Sequence, residues 1–190
     1  LEQGEIVLVL GAAGGVGSAA IELAKAKGAQ VIAAASSPSK LEFALACGAD
    51  ETINYSEVSL KDELKVLTAG RGADVVFDPV GGDLAQQALR GTAWHGRYLV
   101  VGFASGDIPS FPANLALLKE ASITGVWWGT WAARHPEQQL RNLKLMAELI
   151  ANGAINPRID TRFALTDYVD AFAQLSGRKA QGKVVFDLTL

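Results

Sequence analysis

Short apolar runs alternate with amphipathic stretches along the first two thirds of the chain. Ile6–Leu10 is continuously apolar, rich in β-branched residues and bounded by glycines, the mark of a strand covered on both faces. Ser18–Lys27 reads as a helix that Gly28 ends in the C′ position, and Val31–Ala35 as a second buried strand. The alternation then predicts a helix over Ser39–Cys47 stopped at Gly48, a short strand Glu51–Asn54 and a helix Val58–Thr68. Strand Val75–Phe77, helix Leu84–Arg90 and strand Tyr98–Val101 follow, then helix Leu115–Glu120 and a last strand Ser122–Val126. Strands alternating with helices in this way predict an α/β protein: a doubly wound parallel sheet with right-handed crossovers.

After Gly129 the rhythm changes. Glu137–Asn152 is a longer amphipathic helix closed by Gly153. Arg162–Leu165 reads as a strand, Thr166 as the cap of a helix to about Leu175, and Gly182–Leu190 as a terminal apolar strand. The expected organisation is therefore a sheet domain over 1–129 and a C-terminal helical and strand extension over 130–190. The chain opens on Leu1 and runs at once into a strand, so we expect it to be part of something longer.

The chemistry starts after the first strand. Gly11-Ala12-Ala13-Gly14-Gly15-Val16-Gly17 leads directly into a helix, and this strand–loop–helix context is what makes a glycine motif informative. Gly14 would let backbone approach a pyrophosphate, and Gly17 would let helix and strand pack closely. The helix start offers unpaired N–H groups and a positive dipole end to the phosphates. Ala12 stands where the usual Rossmann pattern has its first glycine. The plainer alternative is a tight turn that binds nothing.

The end of the second strand separates NAD from NADP. An NAD site places Asp or Glu there, about 20 residues past the loop, to accept the ribose hydroxyls. Here the strand ends at Ala35 and continues Ser36-Ser37-Pro38-Ser39-Lys40, with no carboxylate to repel a 2′-phosphate. Two hydroxyls and the Lys40 ammonium stand ready to bind one by charge-assisted hydrogen bonds. Lys40 as a solvated residue at a helix start is the competing view.

Composition narrows the field. Among 190 residues 49% are hydrophobic and 19% charged, with a net charge of −3, so no basic field invites nucleic acid. A single cysteine, Cys47, excludes an intrachain disulfide and a multi-cysteine zinc site. No apolar run nears the ~20 residues that span a bilayer, and a reduced, cytoplasmic setting is the expectation. There is no G-x-S-x-G, no Tyr-x-x-x-Lys pair and no Walker A lysine. His95 and His135 sit in turn-like contexts beside Gly96 and Pro136 and read as surface residues, and Cys47 as a small packing residue. Trp127-Trp128-Gly129-Thr130-Trp131 could fill a core, meet a further domain or contact a nicotinamide.

These residues resemble the zinc-independent, quinone-oxidoreductase-like branch of the medium-chain dehydrogenase/reductase superfamily. The resemblance covers essentially the whole chain. It is carried by Leu10–Gly17, Ser36–Lys40 with Cys47–Asp50, Gly70–Asp74, Phe77–Gly82, Gly96–Gly102 and Gly182–Val185. An alanine at position 12 is usual in that branch. The resemblance implies a Rossmann domain whose preceding barrel-like domain carries most of the substrate pocket, and an NADP(H) cofactor lying between the two. It implies that Gly14, Gly15, Val16 and Gly17 hold the pyrophosphate and that Ser36, Lys40 and Tyr55 surround the 2′-phosphate. Val80, Phe103 and Trp127 would line the nicotinamide and its ribose, and Lys183 would reach the phosphates. No residue presents itself as a proton donor, so no catalytic residue is assigned, and no zinc ligands are required.

The expected activity is NADPH-dependent reduction of a quinone or another conjugated carbonyl as a small-molecule electron acceptor. An enoyl-thioester reductase is the alternative enzyme, and a non-catalytic dinucleotide-binding module the alternative of another class. Ser122–Val126, at the sheet edge, lacks an internal lysine and is poorly protected against pairing. The resembling family commonly pairs this edge, which implies a two-fold homodimer centred near Ile123–Gly125. Proline at Thr124 is the expected way to weaken it. The other possibility is a monomer whose edge is covered by the segment Glu137–Leu190.

Overall fold

The computed structural model describes residues 1–190. Strands β1 (Ile6–Leu10), β2 (Gln30–Ala35), β3 (Glu51–Asn54), β4 (Ala73–Asp78), β5 (Thr92–Val100) and β6 (Ser122–Gly125) form one sheet in the order β3-β2-β1-β4-β5-β6. Every pairing in it is parallel. The order reverses between β1 and β4, the switch point at which open α/β sheets bind ligands. Helices α1 (Gly15–Ala26), α2 (Pro38–Ala46), α3 (Leu60–Leu67), α4 (Gly82–Arg90) and α5 (Ala113–Lys119) make the crossovers.

Why the apolar runs are continuous is visible in β1. Ile6, Leu8 and Leu10 join a core with Leu60 and Leu64 of α3, Leu89 of α4, Leu115 of α5 and Tyr98 of β5. Val7 and Val9 point the other way, into a second core with Ile21 and Ala24 of α1 and Ala44 of α2. A strand with helices on both faces has no polar side, so alternation disappears from its sequence. Helix ends fall where glycine allows a left-handed turn, as at Gly28 (φ 77°) and Gly48 (φ 105°).

The C-terminal part adds α6 (Trp128–Arg134), α7 (Pro136–Ala151), strand β7 (Ile159–Phe163), a single 3₁₀ turn at Leu165–Asp167, α8 (Tyr168–Ser176) and β8 (Lys183–Phe186). β7 and β8 pair in parallel as a separate ribbon. Its attachment to the main domain runs through Gly182, whose N–H donates to the Ala13 carbonyl (2.8 Å), and Arg158, which donates to the Ala46 carbonyl (2.6 Å).

Three expectations need correcting. Thr166 does not cap α8, which starts behind Asp167 after the 3₁₀ turn. β5 begins at Thr92, well before Tyr98. Its pairing with β4 jumps from Ala73–Thr92 to Val75–Arg97, so Ala93–Gly96 bulge out with His95 at φ 59°. His95 and Gly96 of that bulge hid the strand's first half. Finally, the sheet edge is not covered by the C-terminal segment: all of β6 is exposed.

Candidate functional site

The carboxyl ends of the six strands line one rim of the sheet, and the loop that follows each carries a predicted site residue. After β1, Gly11 turns the chain at φ 58° and Gly14 N–H donates to the Gly11 carbonyl (3.0 Å). Gly14 then serves as the N-cap of α1, with no side chain capping the helix and no acidic residue in its first turn. The N–H groups that open a helix have no carbonyl within it to bond. Here nothing from the chain's own carboxylates competes for them. A Cβ on Gly17 would lie 2.4 Å from the Gly11 oxygen and 2.8 Å from Ala12 Cα, so the close approach of helix to strand demands glycine. Gly14 is exposed, and a Cβ there would meet only the Gly11 oxygen, at 3.4 Å. Val16 faces solvent beside it.

After β2 the chain gathers a polar patch. Lys40 Nζ donates to Ser36 Oγ (3.2 Å), and Ser56 Oγ donates to the Ser36 carbonyl (3.1 Å). Tyr55, following β3, is tied to the same place by its N–H on the Ala35 carbonyl (3.2 Å), its ring packed against the core. Ser36, Lys40 and Tyr55 therefore lie together with no carboxylate among them. Lys183 arrives from β8 over the glycine loop, with Nζ 2.9 Å from where a Gly15 Cβ would stand. The isolated pairing of Gly14 with Gly182 sets that approach.

The loops after β4 and β5 depend on a residue that sequence reasoning passed over. Asp78 is buried at the end of β4. Its Oδ1 accepts the N–H groups of Val80 (2.7 Å) and Gly81 (2.9 Å), and its Oδ2 accepts the Tyr98 hydroxyl (2.5 Å). Its main-chain carbonyl accepts Val101 and Gly102 N–H. One aspartate thus fixes both the turn bearing Val80 and the start of the loop bearing Phe103. Burial, and then the Asp78 carboxylate, push the Tyr98 phenol far above its ordinary range, so it stays a donor. The available signal was an aspartate two and three residues ahead of a Val-Gly turn, an Asx pattern. Val80 lies against Gly11, and Phe103 against Gly81.

Trp127 is placed differently. It follows β6 at 78% exposure and, with Trp128, Trp131, Arg134 and His135, lines a cavity of about 590 Å³ that includes neither Val80 nor Phe103. The tryptophans do not fill a core. Trp128 and Trp131 belong to α6, a helix missed because Gly129 reads as a break, and Trp127 is its N-cap. His95 and His135 are exposed, as expected, and Cys47 is buried, its thiol pushed up by desolvation.

A family described as zinc-binding dehydrogenase matches residues 15–148, from the α1 start into α7. The chain belongs to that family. Quinone oxidoreductase-like protein 2 of Bos taurus is 43% identical over 188 residues, covering 98% of this chain and 54% of the relative. The quinone oxidoreductase of Pseudomonas aeruginosa is 36% identical, covering 97% of this chain and 57% of its own length. The crystal structure of Escherichia coli quinone oxidoreductase complexed with NADPH matches at TM-score 0.86 and 30% identity, over 98% of this chain and 58% of that one. The chain thus spans about half the length of these relatives and aligns along nearly all of itself.

The family description mentions zinc, and the residues here do not fit it. Cys47 is buried beside α1, His95 sits on the β5 bulge and His135 between α6 and α7, and no three ligating side chains converge.

Proposed function

We propose that this chain binds NADP(H) along the carboxyl rim of its sheet and serves as the cofactor-binding half of an oxidoreductase. The observation that carries this reading is a pair of features on one rim. The N-terminus of α1 lacks any capping side chain, and the end of β2 offers Ser36 and Lys40 where an NAD site has an acid. The N–H groups of Gly15, Val16 and Gly17 would hold the pyrophosphate, Gly14 leaving room for it, and Lys183 would add a positive charge. Ser36 and Lys40 would bind the 2′-phosphate against Tyr55. Val80 and Phe103, on loops held by Asp78, would support the nicotinamide, with Trp127 at its outer side.

When bound, the nicotinamide supplies a hydride to an electrophilic carbon or a quinone. The chain's own contribution is to orient the cofactor and keep water from one of its faces. The relatives' names support a quinone as acceptor, and another conjugated carbonyl would suit the same hydride chemistry. We assign no proton donor and no zinc to this half. Residues 1–129 are the cofactor domain in this reading, and 130–190 face the domain that shapes the substrate pocket. No helix is long and apolar enough to cross a membrane, and a buried, unpaired Cys47 suits a cytoplasmic setting. The exposed edge of β6 would build a homodimer.

The test is an acceptor screen on the protein extended to its relatives' length, following NADPH absorbance with quinones, enones and enoyl thioesters in parallel. Fastest turnover with a quinone or enone is expected. Preference for the thioester would move the assignment to enoyl reduction, and turnover with none would leave a binding module.

A further inference from the structure

At the amino end of the sheet, opposite the cofactor rim, lies a cavity of about 250 Å³ with no hydrophobic residue in its wall. Lys61, Lys65, Arg71, Arg90 and Lys119 line it together with Gly70, Gly72, Gly91 and Thr92. It is built where α3, α4 and α5 all end and β4 and β5 begin. Lys65, Arg90 and Lys119 are each in the last turn of one of those helices.

Charge at this cavity is unbalanced. Arg71 pairs with Asp74, and Lys61 with Asp62 at 3.5 Å. Lys119 donates to the Thr92 carbonyl at 2.7 Å, and burial lowers its ammonium's pKa. Lys65 and Arg90 have no carboxylate partner. A helix C-terminus is worth about half a negative charge, so three of them offset only part of the three unpaired cations. Holding such charges together without a counter-ion is unfavourable. The neighbouring amides are already engaged: Gly72 N–H donates to Thr68 Oγ1 (2.9 Å), and Gly70 N–H to the Lys65 carbonyl (2.8 Å). An occupant would be held by side chains alone.

We propose that this cavity binds a small phosphorylated anion of about the size of a diphosphate. Its volume is below the roughly 300–1,000 Å³ of pockets for larger organic ligands, and its walls offer nothing to an apolar group. Six residues of β4 separate it from the cofactor rim, about 20 Å at ~3.3 Å per residue. Binding there would therefore not compete sterically with a dinucleotide.

The experiment titrates the protein with pyrophosphate and, separately, inorganic phosphate at constant ionic strength, by calorimetry and by amide chemical shifts. Pyrophosphate should shift the Gly70, Gly72, Gly91 and Thr92 amides and bind more tightly than phosphate. The double variant Lys65→Ala, Arg90→Ala should lose at least tenfold in affinity with its circular dichroism unchanged, and Arg90→Gln alone should lose part of that. Shifts confined to Gly15–Gly17 would overturn the proposal. So would unchanged affinity in the double variant together with a lower melting temperature, which would mean that the cations serve only the helix ends.

Discussion

Two glycines of one loop have different jobs, and the distinction can be measured. A methyl at Gly17 would run into the backbone of Gly11 and Ala12, which cannot move without dislodging β1. Gly17→Ala should therefore cost about 1–3 kcal/mol as overpacking, seen as a lower melting temperature. Gly14 is exposed with φ −72° and ψ 162°, a conformation open to any residue. On the proposed reading, Gly14→Val should melt like the parent and lose NADPH binding, because the isopropyl group would occupy the space proposed for the pyrophosphate. NADPH retained by Gly14→Val would place the phosphates elsewhere. The packing role of Gly17 could be anticipated from strand, loop and helix in sequence, and the same pattern is what proposes the role of Gly14. Asp78 could not be singled out, because a carboxylate before a turn is common and only burial beside Tyr98 reveals what it holds.

Among the elements, β1 and β5 are linked across β4 by Glu5 and Arg97, whose guanidinium donates to both carboxylate oxygens at 2.8 and 2.7 Å. The Arg97 hydrogen bond, opposed by burial, holds the Glu5 carboxyl below the ordinary 4.5. A carboxylate with a depressed folded-state pKa contributes stability that is complete above its unfolded value and is lost as pH falls through the folded one. Glu5→Gln should thus lower stability at pH 7 by about 1 kcal/mol, since Arg97 is partly exposed, or roughly 2–4 °C in a chain of this size. The two proteins should converge in parallel thermal melts only as pH falls through the lowered folded-state pKa of Glu5, under its ordinary 4.5; a constant gap would remove the ion pair from the explanation. Elements of this sheet were legible wherever burial on both faces made the sequence uniformly apolar, as in β1 and β2. Legibility failed where geometry departs from the repeat: the His95 bulge in β5, and α6, whose tryptophans join neither buried core. In the C-terminal ribbon β8 was readable, but β7 was expected at Arg162–Leu165 and shares only Arg162 and Phe163 with it, Leu165 lying in the 3₁₀ turn. The ribbon's seat on Gly14 was not readable, since one backbone bridge leaves no trace in composition.

At the scale of the whole molecule, β6 is an edge strand of the sheet, exposed along its whole length. Val126 N–H donates to the Val100 carbonyl (2.9 Å), so by alternation Thr124 also faces β5, and the outward donors belong to Ile123 and Gly125. Proline at Thr124 would therefore damage the chain's own ladder, and Ile123→Pro is the informative change. It should reduce a homodimer to monomers by light scattering while leaving the melting temperature of the sheet nearly unchanged; a persistent dimer would move the interface off this edge. The opposite axis of the molecule carries the central claim, a dinucleotide rim that selects the 2′-phosphate. Its most direct test is calorimetric titration of the protein and of Lys40→Ala with NADPH and NADH at one ionic strength. One charge-assisted hydrogen bond is worth about 1.5–3 kcal/mol, so NADPH should bind about one to two decades more tightly than NADH. In Lys40→Ala that gap should close through NADPH alone. Equal affinities for the two nucleotides, or a preference untouched by removing Lys40, would contradict the account.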